Sequence, residues 1–299
     1  MDFRGAEQKT NSYRKRTAVR TSGLYLLLLF LLLEACSTYK KTSWPSSKSV
    51  SGTLFYEQAA AFQWKQRDSL TRMLVLQGSI PDFLRKFVAI RTQYQDSSGK
   101  NYRAIYYVSP DYLSIGTNKN WARVHITPFL AQELADSLQC FLPTRKMVDE
   151  IYKAARIKLA PIPFTQARDS TPTFYQHHLA VEQQRKGRVG LLAGIQKDIV
   201  TTGRLYTYPK RDRVAIYGWH QLNGKPIQPL YTGHVYWYVD YSQGVRLVYK
   251  LIKVNGKWVH YSTVLSDPVL RNLLCDETDC GGGRYPTPPL ISIPPDATR

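Results

Sequence analysis

Apolar positions along residues 54–262 follow a helical period in some stretches and run as short β-rich segments in others, which predicts a mixed domain. Helix start signals, a threonine next to a proline, occur at 127–128, 143–144 and 171–172. The predicted helices cover 54–76 and 82–88, and three more begin at Thr127, Pro143 and Thr171. The predicted strands cover 87–93, 102–108, 197–206, 213–219, 234–241, 245–254 and 257–262.

Two turn signals join neighbouring strands into hairpins. Asp96-Ser97-Ser98-Gly99 separates the first two strands, and Asn255-Gly256 separates the last two and is typical of a type I′ turn. The stretch 220–233 is predicted to be an ordered loop. Helices in the centre with strands before and after them predict an α+β fold, with an antiparallel sheet, a central cluster of helices and a single main domain.

A short apolar run near the N-terminus has the layout of a secretory signal. Ten residues, Leu24 to Leu33, follow the basic residues Arg14, Lys15 and Arg16. At a rise of about 1.5 Å per residue, such a helix is much shorter than the roughly 30 Å core of a bilayer. The run therefore predicts export rather than a membrane span.

The end of this run, Leu33-Glu34-Ala35-Cys36, resembles the lipobox of bacterial lipoproteins. The resemblance implies cleavage before Cys36, acylation of Cys36 and a membrane anchor, with Ser37 favouring the outer membrane. The alternatives are an ordinary signal peptide or a short uncleaved anchor, in which Cys36 has no role.

Composition divides the chain into four parts. Residues 1–35 are the predicted signal peptide, and 36–53 form a lipidated Cys and a flexible tether rich in Ser, Thr and Lys. Residues 54–275 form the basic α+β domain. Residues 276–299 form a Gly/Pro-rich tail that is predicted to be disordered.

The chain has a formal charge of +19. The predicted leader contains six of the 41 Lys/Arg and three of the 22 Asp/Glu, so the remainder carries +16. This excess attracts polyanions. Export and the lack of a nucleic-acid motif argue against nucleic acid, so the expected partners are the membrane and peptidoglycan or another anionic envelope polymer.

Three cysteines follow Cys36. The short spacing of Cys275 and Cys280 predicts a local disulfide in an oxidising compartment. Cys140 is then left as a single thiol. It is either a small buried apolar residue or a reactive thiol, because it lies close to the predicted helix start at Pro143.

One catalytic hypothesis places Cys140 as nucleophile and His234 as base, with Asp240 or His220 orienting the histidine. This order of a nucleophile near a helix start and polar residues on later strands resembles NlpC/P60-type cysteine peptidases of the cell wall. The resemblance covers about 100 residues and implies a thiol-dependent wall hydrolase.

A second catalytic hypothesis groups His178, His220, His234 and Asp240 around zinc, since three nitrogens and a carboxylate suit that metal. Apart from this zinc hypothesis, the sequence indicates no particular cofactor.

A third hypothesis needs no catalysis. Exposed aromatic rings stack on sugars while cations hold carboxylates, which predicts a glycan-binding surface. The aromatic residues are Trp219, Tyr231, Tyr236, Trp237, Tyr238, Tyr241 and Trp258, beside Lys225, Arg246 and Lys250.

The favoured prediction is an envelope lipoprotein that binds anionic wall polymers, and the alternative is a wall hydrolase. The segments 142–149 and 234–244 resemble uncharacterised secreted bacterial proteins and imply no activity.

Overall fold

The computed structural model describes residues 39–47, 50–207 and 212–286. Six α-helices lie in these residues. They are α1 (Gly52–Gln58), α2 (Trp64–Leu76), α3 (Pro128–Ser137), α4 (Arg145–Ala154), α5 (Thr171–Arg185) and α6 (Tyr261–Ser266). Short 3₁₀ helices cover Asp82–Arg85, Gly203–Tyr206, Leu270–Leu273 and Gly281–Gly283.

The strands form two main sheets and two small pairs. The strands are β1 (Tyr39–Lys41), β2 (Lys86–Gln95), β3 (Asn101–Val108), β4 (Ser114–Gly116), β5 (Trp121–Arg123), β6 (Cys140–Phe141), β7 (Ile157–Lys158), β8 (Leu192–Ala193), β9 (Lys197–Ile199), β10 (Ile216–His220), β11 (Pro226–Tyr231), β12 (Gln243–Gly244), β13 (Val248–Tyr249), β14 (Leu251–Val254) and β15 (Lys257–His260). The larger sheet has the order β1-β2-β3-β13-β6, with β14 also on β3 and β15 on β14. The smaller sheet has the order β11-β10-β9-β12.

The predicted α+β class is confirmed. Every strand pair of the larger sheet is antiparallel, and the parallel pairs in the described residues are β9 with β12 and β7 with β8. The hairpin β2–β3 pairs Val88 with Val108 and Gln95 with Asn101, as the turn at 96–99 requires.

Capping side chains explain where the central helices begin. The Thr127 hydroxyl accepts from the Leu130 amide at α3, and the Thr144 hydroxyl does the same for Met147 at α4. The predicted helix over 54–76 is instead two helices. The second helix starts after Gln63, because the side chains of Gln63 and Gln66 form a capping box that satisfies the first amides of α2.

Two predictions in the last third are wrong. The stretch 234–241 is irregular, and its one ladder contact is a single bridge between Arg213 and Val235. Val239 and Tyr241 are buried, and the other apolar side chains are half-buried against other elements, as when Tyr236 packs on Phe129 at 4.8 Å between ring centroids. Conversely, much of the predicted loop 220–233 is the strand β11, which pairs with β10.

The predicted tether extends too far along the chain. Tyr39–Lys41 pairs with β2, and Trp44 is 9% exposed, with its Nε1 donating to the Leu138 carbonyl at 2.8 Å. The side chain of Arg85 donates to the carbonyls of Trp44 and Pro45. Residues 39–47 therefore belong to the folded unit, which was predicted to start at 54.

The domain also continues past its predicted end. Tyr285 is buried, and its hydroxyl accepts from the Ala215 amide at 2.9 Å. Cys275 and Cys280, the pair expected from their spacing, are joined by a disulfide with a Cα–Cα distance of 6.2 Å. The predicted signal peptide, Cys36 and the last part of the predicted tail, 287–299, lie outside the described residues.

Candidate functional site

Cys140 does not form the predicted thiol site. It is 2% exposed in a core cluster that contains Leu138 and Leu142, and its thiol donates to the Leu138 carbonyl at 3.3 Å. Burial raises the pKa of the thiol well above its usual value, so the reactive thiolate is disfavoured. Within the described ranges, no hydrogen bond joins it to a histidine. The NlpC/P60-like hypothesis with His234 as base for Cys140 is therefore wrong.

The predicted zinc ligands do not converge either. His178 lies beside Arg123, His220 beside Asp149, and His234 between aromatic rings. No group of three His, Cys, Asp or Glu in residues 39–47, 50–207 and 212–286 is placed to hold a metal ion. The zinc hypothesis is wrong because His178 and His220 lie in two other environments, so fewer than three of the four predicted ligands come together.

His220 lies at a surface pocket of about 450 Å³. Its Nε2 is 2.8 Å from Asp149 Oδ1, and its ring stacks on Tyr152 at 4.5 Å between centroids. The Tyr217 hydroxyl donates to both oxygens of Asp149, at 3.0 and 3.1 Å. His220, Asp149 and Tyr217 thus form hydrogen bonds with one another at this pocket.

Asp240, the remaining predicted residue, is the centre of a charged group. Its carboxylate is 1% exposed and accepts from Arg168 at 3.0 Å and from Lys197 Nζ at 3.3 Å. The Ser242 hydroxyl donates to the other carboxylate oxygen at 2.6 Å. We call Arg168, Lys197, Asp240 and Ser242 the Lys197 cluster.

Backbone hydrogen bonds bring these residues together. Lys197 is the first residue of β9, and its amide donates to the Ser242 carbonyl at 2.6 Å, next to the parallel pairing with β12. The Ser242 amide donates to the Asp240 side chain, which forms an Asx turn. The Tyr241 amide donates to the Arg168 carbonyl at 2.9 Å. The cluster therefore joins three segments distant in sequence.

The charges of the cluster change each other's protonation. Burial works to raise the pKa of Asp240, but Lys197, Ser242 and Arg168 outweigh it, so that pKa lies below its usual value. Burial lowers the pKa of Lys197, and Asp240 opposes that effect. Burial, followed by the charge of Lys197, lowers the pKa of His234, so the neutral imidazole is favoured. With two cations and one carboxylate, the cluster has a net positive charge.

Several buried polar atoms near the cluster have no hydrogen-bond partner among the described residues. His177, Gln196 and Gln243 are each 1% exposed, and Trp219 is 7% exposed. Buried polar groups are normally paired, so unpaired ones concentrate where a site binds water or a ligand. The atoms are His125 Nε2, His177 Nε2, Gln196 Oε1, Trp219 Nε1, and Nε2 and Oε1 of Gln243.

Trp219 adds backbone strain at the same place. Its φ of 54° lies in the left-handed region, which is costly for a bulky residue. This conformation places the indole 5.7 Å from Lys197 Nζ and 6.2 Å from the Tyr241 ring. Strain of this kind is concentrated at functional sites.

A row of half-exposed aromatic rings lies beside the cluster. The His234 ring is 5.1 Å from Tyr231 and 4.6 Å from Tyr238. Tyr231 is 43% exposed. Other members of the predicted glycan surface lie elsewhere: Trp258 is on β15, and Arg246 is buried beside Asp198. The aromatic surface is thus smaller than predicted and centred on His234.

Replacing His177 with glutamine tests the neutral state of the buried histidines near the cluster. Burial, followed by His125 and Arg123, lowers the pKa of His177 to about 3. Its pKa in the unfolded chain is about 6.5, so below that pH the unfolded chain binds a proton that the folded chain excludes. The stability advantage of wild type over His177→Gln should be complete above pH 6.5 and decrease by about 1.4 kcal/mol per pH unit from there toward pH 3. Urea unfolding of both proteins at several pH values measures it, and a difference that is constant with pH contradicts it.

No protein-family model, curated protein or solved structure matches this chain. In the ranges that the structure describes, no helix has the length and apolar character that crossing a membrane requires.

Proposed function

We propose that this protein is an exported lipoprotein whose basic domain binds a carboxylate-bearing polymer of the cell envelope at the Lys197 cluster. The observation that carries the proposal is the positively charged Lys197 cluster, next to buried polar atoms that have no partner. Peptidoglycan, which carries stem-peptide carboxylates, is the polymer that fits an exported domain of this charge.

The two cations of the cluster have donors to spare. An ammonium has three N–H donors, and within the described residues the Lys197 side chain makes one hydrogen bond, to Asp240. The Arg168 side chain is 43% exposed and can be reached from solvent, whereas the Lys197 side chain is 5% exposed. A ligand carboxylate would therefore meet Arg168 first and would have to enter the cluster to accept from Lys197 as well, in charge-assisted hydrogen bonds that are stronger than neutral ones.

The aromatic row formed by Tyr231, His234 and Tyr238 supports a saccharide as the rest of the ligand. Aromatic faces provide flat apolar area for the C–H faces of a sugar, while their polar tips stay hydrated. The row lies beside the cluster along the chain, because Tyr238 precedes Asp240 by two residues. A charged group and a stacking surface together suit an acidic glycan better than a free anion.

The anchor is a separate part of the proposal. Cys36 would carry the lipid, and Ser37 would direct the protein to the outer membrane, both by resemblance to bacterial lipoproteins. Several acyl chains hold a protein on a bilayer far more firmly than one. Incorporation of labelled palmitate into wild type, and its loss in Cys36→Ser, is the expected result. Equal fractionation of the two proteins would contradict the anchor.

Co-sedimentation with purified peptidoglycan tests the binding site. We expect Lys197→Met to weaken binding at least about tenfold, because a hydrogen bond to a charged group contributes about 1.5–3 kcal/mol. Arg168→Gln should weaken it in the same direction, and in this variant Lys197 and Ser242 still bind the buried Asp240 carboxylate. Thermal unfolding of each variant checks that the domain is intact.

Lys119→Met is the matched control. Lys119 is an exposed lysine in the loop between β4 and β5, and its removal changes the net charge by the same amount. It should change the affinity less than about twofold, since exposed charges outside the cluster are screened by salt. Equal weakening by both lysine variants would assign binding to overall charge. Release of soluble fragments by wild type, lost in Lys197→Met, would assign hydrolysis instead of binding.

A further inference from the structure

Five strands of the larger sheet contain basic residues but no acidic ones. Strands β1, β2, β3, β14 and β15 contain seven Lys or Arg and no Asp or Glu. The seven are Lys40, Lys41, Lys86, Arg91, Arg103, Lys253 and Lys257.

The strand register places four of these cations on one face of the sheet. Arg91 is opposite Ile105, Ile105 is opposite Lys253, and Lys253 is opposite Trp258. Directly opposite residues point to the same face, and so do residues two apart along a strand, which adds Arg103. Lys40 joins them because its Nζ lies 5.6 Å from the Trp258 ring. We call Lys40, Arg91, Arg103, Ile105, Lys253 and Trp258 the basic sheet face.

The opposite face of these strands is core. Ile90, Tyr106 and Ile252 are each at most 2% exposed and pack in one cluster with Met147 and Ile151 of α4. The basic sheet face is therefore the exposed part of the other side, which joins a second core cluster at Ile105 and Tyr107, whereas α4 covers the side of Ile90, Tyr106 and Ile252.

The basic sheet face combines unpaired cations with exposed apolar area. Arg91 and Arg103 are exposed, and Trp258 is 49% exposed. In the described part of the chain, none of its four cations forms an ion pair. Cations around an accessible tryptophan are typical of surfaces that contact the headgroup region of an anionic bilayer.

The edge of the sheet next to this face lies close in sequence to Cys36, the proposed site of lipid attachment. Tyr39 begins β1, the edge strand beside β2, and it follows Cys36 by three residues. Three residues span at most about 10 Å when extended. A lipid on Cys36 would therefore hold this edge of the sheet within about 10 Å of the bilayer surface.

We propose that the basic sheet face lies against the membrane that carries the anchor and binds its anionic headgroups. This inference rests on the lipid attachment in the proposed function and adds which side of the domain faces the bilayer. The domain would then be held in a defined orientation rather than turning freely about its anchor.

Site-specific fluorescence on the full-length acylated protein in vesicles tests this orientation. Gln93→Cys puts a label on the same face, opposite Arg103, without changing a charge. Leu222→Cys is the control: Leu222 is 62% exposed and lies at the pocket beside Tyr152 and Lys153 of α4, on the helix side of the sheet. The other thiols do not compete, because Cys140 is buried and Cys275 and Cys280 are paired.

A headgroup-attached quencher should quench the label at residue 93 and not the label at residue 222. The effect should require phosphatidylglycerol, be lost in vesicles of phosphatidylcholine alone, and weaken with salt. Arg91→Gln and Arg103→Gln should each reduce the membrane-bound orientation about fivefold, since each cation near an anionic surface contributes about 1 kcal/mol.

Equal quenching at the two positions, or quenching that survives the double Arg91→Gln/Arg103→Gln variant, would overturn the orientation. Retention of the protein on vesicles after an alkaline wash separates this result from failure of the anchor. A protein that washes off overturns both the anchor and the orientation. A retained protein with equal quenching overturns the orientation alone. Peptidoglycan binding at the Lys197 cluster should be unchanged by both Gln variants.

Discussion

Replacing Arg123 with methionine is expected to lower the free energy of unfolding by about 3–5 kcal/mol. Arg123 is 1% exposed, and its guanidinium donates to both oxygens of Asp111 at 2.9 and 2.7 Å, and to Glu182 at 2.7 Å. Burial works to raise the pKa of Asp111, but Arg123 outweighs it and holds that pKa below its usual value. Methionine fills much of the same volume and leaves the buried carboxylate with Arg185, at 3.7 Å, as its nearest ion-pair partner.

Urea denaturation followed by circular dichroism measures this loss, with Arg72→Met as the control. Arg72 pairs with Glu133 at the surface, where the two side chains are 53% and 45% exposed. Exposed pairs contribute about 0–1 kcal/mol, so this variant should be close to wild type. An equal loss in the two variants would mean that the Arg123 pair is no stronger than a surface pair.

Replacing Trp44 with alanine should cost about 3–5 kcal/mol, the range for removal of a buried aromatic side chain. Its ring packs edge-on against Phe87 at 5.3 Å, and its Nε1 donates to the Leu138 carbonyl. The variant therefore removes apolar contacts and leaves a buried carbonyl without its donor. A large loss would show that the segment after the predicted leader belongs to the folded domain.

Two further variants separate the contributions of Trp44. Trp44→Phe keeps most of the apolar area and loses the hydrogen bond, so a loss near 1 kcal/mol is expected. Tyr39→Ala removes a side chain that is 57% exposed and should change the stability by less than about 0.5 kcal/mol. If Trp44→Ala also has an effect this small, residues 42–47 do not stabilise the domain.

Part of the candidate site could be predicted from the sequence. The sequence singles out Asp240 as a polar residue next to an apolar run, and Asp240 lies in the Lys197 cluster. Lys197 was missed, although a signal was present: Lys197 and Asp198 precede the apolar pair Ile199-Val200, and a charged pair in a buried strand needs partners. Arg168 had no comparable signal, because it lies in an irregular segment.

The tether was mispredicted for a related reason. Residues 37–53 are rich in Ser and Thr and have little apolar area of their own, so composition predicts a flexible chain. One residue, Trp44, reverses this because it fits a site between Phe87 and Leu138, which are distant in sequence. A single anchoring side chain changes average composition very little, and its binding site is formed only by the fold.

The sequence by itself determined the local features of this protein: helix starts at Thr127 and Thr144, the two tight hairpins and the pairing of Cys275 with Cys280. Each depends on residues only a few positions apart, so a short stretch contains its cause. The tertiary structure alone decided which polar residues meet. Cys140 is enclosed by the core, and His178 and His220 lie apart from each other, so the proposed zinc ligands form no metal site. Lys197, Asp240 and Arg168 come together from distant segments because their positions depend on how whole strands and loops pack.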